Sequence, residues 1–134
     1  VIHVQHLSIR TGSTFFLPDT DGAKIHELVK PHSNEKVIVK HSPNSFFQTD
    51  LHALLKADAI TELVICGMMT HMCVDATVRA AKDLGYNCTV IGDACATKDL
   101  EINGVRVYER DVHFAFLAVL YPYYAVISQT NQYL

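Results

Sequence analysis

At 134 residues, with 49% apolar and 19% charged side chains and a net charge of −3 with the histidines neutral, the chain has the make-up of one compact domain over 1–134. That balance excludes a disordered segment and argues against a nucleic-acid surface. No apolar run reaches bilayer length, and the four cysteines form no dense framework, so reduced thiols in a cytoplasmic protein are expected.

Val1–Gln5 is β-prone and reads as a strand in which the chain begins abruptly, with neither an initiator Met nor a signal-peptide pattern. Residues 7–22 are rich in Ser, Thr, Gly, Pro and Asp and form a loop carrying Phe15, Phe16 and Leu17. Ala23–Val29 fits a short helical turn stopped by Pro31, and KVIVK at 36–40 makes a second strand ending at Lys40. After the loop HSPNSFFQT, Asp50–Ala57 is a short amphipathic helix with Leu51, Leu54 and Leu55 on one side. Leu63–Cys66 is a short apolar run ending at Gly67, which reads as a strand buried on both faces. From Cys73 the period becomes helical through Val74, Thr77, Val78, Ala81 and Leu84, and Gly85 supplies a stop. Asn87–Ile91 is another strand, Gly92–Ala94 turns the chain, and 97–108 reads as loop with a strong Asn103-Gly104 turn signal. Arg110–Leu120 is a helix closed by Pro122, and Tyr124–Ser128 a last strand. Strands alternating with helices predict an α/β fold, a mainly parallel sheet flanked by helices.

In such sheets ligands collect beyond the carboxyl ends of the strands. His6, Lys40, Gly67 and Asp93 fall at predicted strand ends, which places Lys40 and Cys73 on one rim although they are distant in sequence. Cys73 sits on a strand–turn–helix elbow, where the helix N-terminus favours a thiolate and unpaired N–H groups can hold an oxyanion. A nearby Lys40 ammonium would favour that thiolate by Coulomb attraction. The competing readings are bland: a packed cysteine, a solvated strand-end lysine, and a Gly-Asp turn at Asp93. The eight histidines lack metal spacing, since His3 and His6 alternate on a strand while His41, His52 and His71 are scattered, so no metal is expected. His113, inside a predicted helix, is expected to pack or make one hydrogen bond. No glycine-rich phosphate loop is present, and no cofactor is expected.

The runs VIVKHSPNSFFQTDL, LVICGMMTHMCVDATVRAAKDLGY and DACAT, with VHFAFLAVL and the closing strand, resemble the isochorismatase-like cysteine hydrolase superfamily over nearly the whole chain. The most specific part is Gly-x-x-Thr-x-x-Cys-Val after a strand, together with the upstream lysine. The resemblance implies a Rossmann-like three-layer fold and an Asp–Lys–Cys triad, in which Cys73 matches the nucleophile and Lys40 the lysine. It implies a non-proline cis peptide at Met68–Met69, and an oxyanion hole from the N–H groups of Met69 and Cys73. It also implies hydrolysis of a carbon–nitrogen bond in a small amide or carbamoyl compound through a thioester; some relatives cleave the vinyl ether of isochorismate instead. Phe16, Phe46, Thr70 and His6 are the expected substrate contacts, in a pocket built by the Phe15–Phe16 loop, residues 41–47 and a neighbouring subunit of a homodimer or homotetramer. The aromatic C-terminal part (Tyr121, Tyr123, Tyr124, Tyr133) fits either such an interface or the chain's own core.

Two departures bear on this. No aspartate here matches the triad position, which in the family follows a first strand, so the general base is missing and an N-terminal extension of a βα unit is expected. The Asp-x-His of metal-dependent nicotinamidases has no counterpart after His6, which disfavours that branch. A catalytically silent homologue or binding subunit is therefore an alternative to the amidohydrolase. A redox protein using Cys73 is a third, without a Cys-x-x-Cys partner to support it.

Overall fold

The computed structural model describes residues 1–133. In chain order, β1 (Ile2–His6) leads to two short 3-10 turns (Asp21–Ala23 and Glu27–Val29), then β2 (Lys36–Lys40) and α1 (Leu51–Ala57). Next come β3 (Glu62–Met68), a π-helical turn (Thr70–Val74), α2 (Asp75–Asp83) and β4 (Asn87–Ala96). β5 (Leu100–Ile102), β6 (Val105–Val107), α3 (Glu109–Leu120), β7 (Val126–Ser128) and α4 (Thr130–Tyr133) complete it.

The alternation of strand and helix yields parallel pairing, as βαβ connections require. The parallel strands form two groups: β1 pairs β2 with His6 opposite Lys40, while β3 pairs β4 and β4 pairs β7. Among the described residues no ladder joins β1 to β3. Helical spacing buries Val74, Thr77, Val78 and Ala81, and α2 is stopped where Gly85 takes φ +91°, a conformation glycine adopts at no steric cost. Leu117 and Leu120 of α3 pack with Val78, Cys88 and Val90 in one cluster, which Leu51 and Leu55 of α1 join and against which Ile2, Ile38, Leu63 and Ile65 pack.

Three expectations are corrected. β3 is not buried on both faces: Leu63 and Ile65 face the helices, but Val64 (47% exposed) and Met68 (58% exposed) point away from the side on which α1, α2 and α3 pack. A continuous apolar run reports no covering layer, and here the pleat alternates. Gly92–Ala94 does not turn the chain; it stays in β4, which slips register against β3 between Ile65 and Gly67 before pairing Gly67 with Cys95. The segment 97–108 is not simply loop but contains the antiparallel hairpin β5–β6. Its two-residue turn puts Asn103 at φ 53° and Gly104 at φ 76°, as a type I′ hairpin demands.

Candidate active site

The site is built where β1 and β2 end and the turn after β3 begins. Lys40, the last residue of β2, is 3% exposed, and its Nζ donates to the carbonyls of Ser42 (2.7 Å) and Pro43 (2.9 Å). The same nitrogen lies 3.2 Å from Cys73 Sγ and 3.1 Å from His6 Nδ1. Strand pairing dictates the approach of His6, since His6 and Lys40 are partners in the ladder and the Leu7 N–H donates to the Lys40 carbonyl at 2.9 Å. The loop supplying the two carbonyls is anchored to α2: Thr77 Oγ1 accepts from the Ser45 N–H (3.0 Å) and bonds Ser45 Oγ (2.9 Å), both side chains being buried.

Cys73 is partly exposed and lies in the π-helical turn rather than on the first turn of α2 as expected. The turn widens the entry to the helix, with the Val74 N–H reaching back to the Met69 carbonyl at 3.2 Å, a local irregularity frequent at functional sites. The Met68–Met69 peptide is cis.

The buried Lys40 nitrogen thus lies against the Cys73 sulfur. The other cysteines are placed otherwise. Burial raises the Cys95 thiol to about 11 and pushes Cys88 up as well, so both stay protonated at neutral pH.

The expected substrate contacts separate. His6 is in the site, and Phe16 packs on it with ring centroids 5.6 Å apart. Phe16 holds φ 56°, unusual for a bulky residue, while its carbonyl accepts from the Ser8 N–H at 2.8 Å. Phe46, partly buried, stacks on Tyr86 (5.8 Å), meets His52 edge-on and packs against the core. The periodicity of a loop gives no sign of which way such a ring turns. Thr70 is fully buried, donates to the Ala96 carbonyl (3.2 Å) and shares a hydrogen bond with His113 Nδ1 (2.9 Å), so its hydroxyl ties the turn to β4 and α3. His113 thus makes the single bond expected of it.

Sequence reasoning missed the Ser42 and Pro43 carbonyls and the Ser45–Thr77 anchor, because backbone acceptors leave no residue signature. It also missed His71, whose Nδ1 bonds Thr97 Oγ1 and whose ring meets Phe116 edge-on, with burial and then Lys98 lowering its pKa. Asp93 accepts from the Thr130 N–H (2.8 Å) and hydroxyl (3.1 Å) at the start of α4, away from Cys73. Among the described residues, no three His, Cys, Asp or Glu side chains converge as metal ligands.

A family model described as an Isochorismatase domain matches residues 1–132. The isochorismatase family protein YddQ of Bacillus subtilis (strain 168) is 51% identical over 134 residues, all of this chain and 74% of that protein. The ureidoacrylate amidohydrolase RutB of Agrobacterium fabrum (strain C58 / ATCC 33970) is 30% identical over 110 residues, 81% of this chain and 48% of that protein. A crystal structure described as an isochorismatase hydrolase from Oleispira antarctica superposes with a TM-score of 0.92 at 50% identity, covering 98% of this chain and 70% of that one. The chain belongs to the isochorismatase-like hydrolases.

Proposed function

We propose that the protein is a cysteine-dependent hydrolase cleaving the carbon–nitrogen bond of a small amide or carbamoyl compound. The observation that carries the reading is the buried Lys40 ammonium 3.2 Å from Cys73 Sγ, at the carboxyl rim of a parallel sheet. The Cys73 thiolate attacks the carbonyl carbon, forming the C–S bond and an oxyanion. The N–H groups of Met69 and Cys73 are the candidate donors to that oxyanion. Collapse breaks the C–N bond, and the leaving nitrogen takes a proton from the Lys40 ammonium. Water then splits the thioester, giving the acid, and the thiol proton returns to Lys40 to restore the ion pair. The amidohydrolase name of RutB supports the bond class.

The four polar partners of Lys40 include no carboxylate. A further strand between β1 and β3, bearing the aspartate that the resemblance implies, belongs to the proposal. It would pair the two strand edges that now carry no ladder and give the ammonium and the attacking water a basic partner. An intact mass equal to that of these 134 residues alone would count against it. The same observation favours a second reading, a silent homologue that binds a small molecule without turnover. We further propose a cytoplasmic homodimer or homotetramer, supported by the exposure of Tyr121, Tyr123 and Tyr133; light scattering that reports a monomer would contradict it.

The test is a panel of small amides and carbamoyl compounds assayed for ammonia or amine release, with acid-quenched mass spectrometry of the enzyme. A mass increase confined to the Cys73 peptide, absent in Cys73→Ser, supports the hydrolase. Binding with neither release nor adduct supports the silent homologue.

A further inference from the structure

His6 was expected to touch substrate, but its hydrogen bonding assigns it a different task. An ammonium carries three donors and no acceptor, yet Lys40 Nζ has four polar neighbours. The two shortest contacts go to carbonyls, leaving the third N–H for His6 Nδ1 and Cys73 Sγ, which lie at 3.1 and 3.2 Å. Nζ can only donate, so the 3.1 Å contact is a hydrogen bond in the tautomer that leaves the Nδ1 lone pair free and carries the proton on Nε2.

We propose that His6 is a positioning residue: its Nδ1 lone pair holds the Lys40 ammonium against Cys73 Sγ, and protonation of the ring releases that hold. The inference rests on the Lys40–Cys73 pair of the proposed function. Nothing about a bound substrate enters it, because Nδ1 is already engaged.

The ring is fixed for this task from two sides. Its strand pairs with β2 in register, His6 opposite Lys40, and Phe16 closes on the ring from the loop. The titratable groups facing it are Lys40 at the end of β2, His41 just after it and Cys73 in the π-helical turn. His41 Nδ1 is itself within hydrogen-bond distance of the Leu7 carbonyl, 2.7 Å away. Burial first, then the charges of Lys40 and His41, hold the His6 pKa below the usual 6.5, against an opposing hydrogen bond with Ser42. A ring kept neutral there is what an acceptor for an ammonium requires. Proton uptake would put an N–H where the lone pair was, and two cations side by side.

The test reads iodoacetamide modification of the Cys73 peptide by mass spectrometry, from about pH 5 to about pH 8, in wild type, His6→Asn, His6→Ala and Lys40→Ala. Asparagine puts an amide oxygen near the place of Nδ1 but does not titrate. His6→Ala should slow modification about tenfold at neutral pH, the worth of one charge-assisted hydrogen bond, and His6→Asn should stay within about threefold of wild type. The wild-type rate should also show an extra acid limb below about pH 6.5 that His6→Asn lacks. Equal rates in wild type and His6→Ala, with Lys40→Ala slow, overturn the role of His6 and leave the hydrolase reading standing. Equal rates in all four proteins overturn both, and His6→Asn as slow as His6→Ala overturns the acceptor role. Should His6→Ala fail to fold, nitrogen-15 NMR of the wild-type ring decides: an Nε2–H tautomer at neutral pH supports the proposal, and an Nδ1–H tautomer overturns it.

Discussion

The two groups of strands are built differently, and the site lies at their meeting. In β3–β4–β7 the sheet backs onto the core: Val78, Val90 and Leu120 are fully buried, and Cys88 nearly so. In β1–β2, Val37 and Val39 are each 43% exposed, and only Ile2 and Ile38 reach the core cluster. The first group supplies Cys73 on its turn into α2; the second supplies Lys40 and His6. Among the described residues no ladder joins the two groups; the Lys40–Cys73 contact and the Ser45–Thr77 anchor link them, beside the packing of Ile2 and Ile38 on the shared core. The well-packed half thus holds the nucleophile, while the sparsely packed half holds what tunes it. Geometry at the joint should therefore fail before the fold does.

The largest contrast is expected from core truncation. Leu120→Ala, at a fully buried position, should cost about 2–5 kcal/mol, whereas Val37→Ala on the open side of β2 should stay within about 0.5 kcal/mol. Urea unfolding of both variants measures this, and equal losses would show that the two halves share one core after all. Next comes the joint itself. Thr77→Val removes the acceptor of the Ser45 N–H and should cost about 1–3 kcal/mol. It should also slow modification of Cys73, because the loop holding Lys40 loses its anchor; stability lost at unchanged reactivity would separate the anchor from the site. Smaller still, Gly85→Ala forces a side chain into φ +91° and should cost about 1 kcal/mol at the end of α2 while leaving Cys73 reactivity alone.

The acid response follows from the histidines. His6 and His71 both have folded pKa values below 6.5, chiefly through burial. As pH falls below 6.5 the unfolded chain takes up protons that the folded one refuses, so stability declines with falling pH in that window. Thermal melts should show the decline beginning below about pH 6.5, and His6→Asn should lessen it. Asp99 acts in a separate, lower window: hydrogen bonding with Glu109 first and Arg106 next holds its carboxyl to about 2, so its contribution is present above its ordinary 3.8 and is lost only in strong acid.

Much of this was legible in the sequence where one local signal decides structure. KVIVK gave the bounds of β2, helical spacing gave α2 and α3, and Asn103-Gly104 marked the turn that closes the hairpin. The predicted strand ends placed Lys40 and Cys73 on one rim, while their triad roles and the cis Met68–Met69 peptide came from the resemblance. What stayed hidden depends on tertiary surroundings. The run Leu63–Cys66 does not say that Val64 faces away from the helices, and a loop phenylalanine does not say that Phe46 stacks on Tyr86. The Ser42 and Pro43 carbonyls are backbone groups, invisible to residue type, yet they make the two closest contacts with the lysine.

The most direct test of the central claim is the second-order rate constant for iodoacetamide at Cys73 in the wild-type protein and in Lys40→Ala, at neutral pH, resolved by peptide from Cys66, Cys88 and Cys95. An ammonium holding the thiolate predicts that removing it slows Cys73 by about tenfold or more, while the other three cysteines are unaffected. A Cys73 rate that is unchanged in Lys40→Ala, or no faster than that of the exposed Cys66 in wild type, would contradict the account.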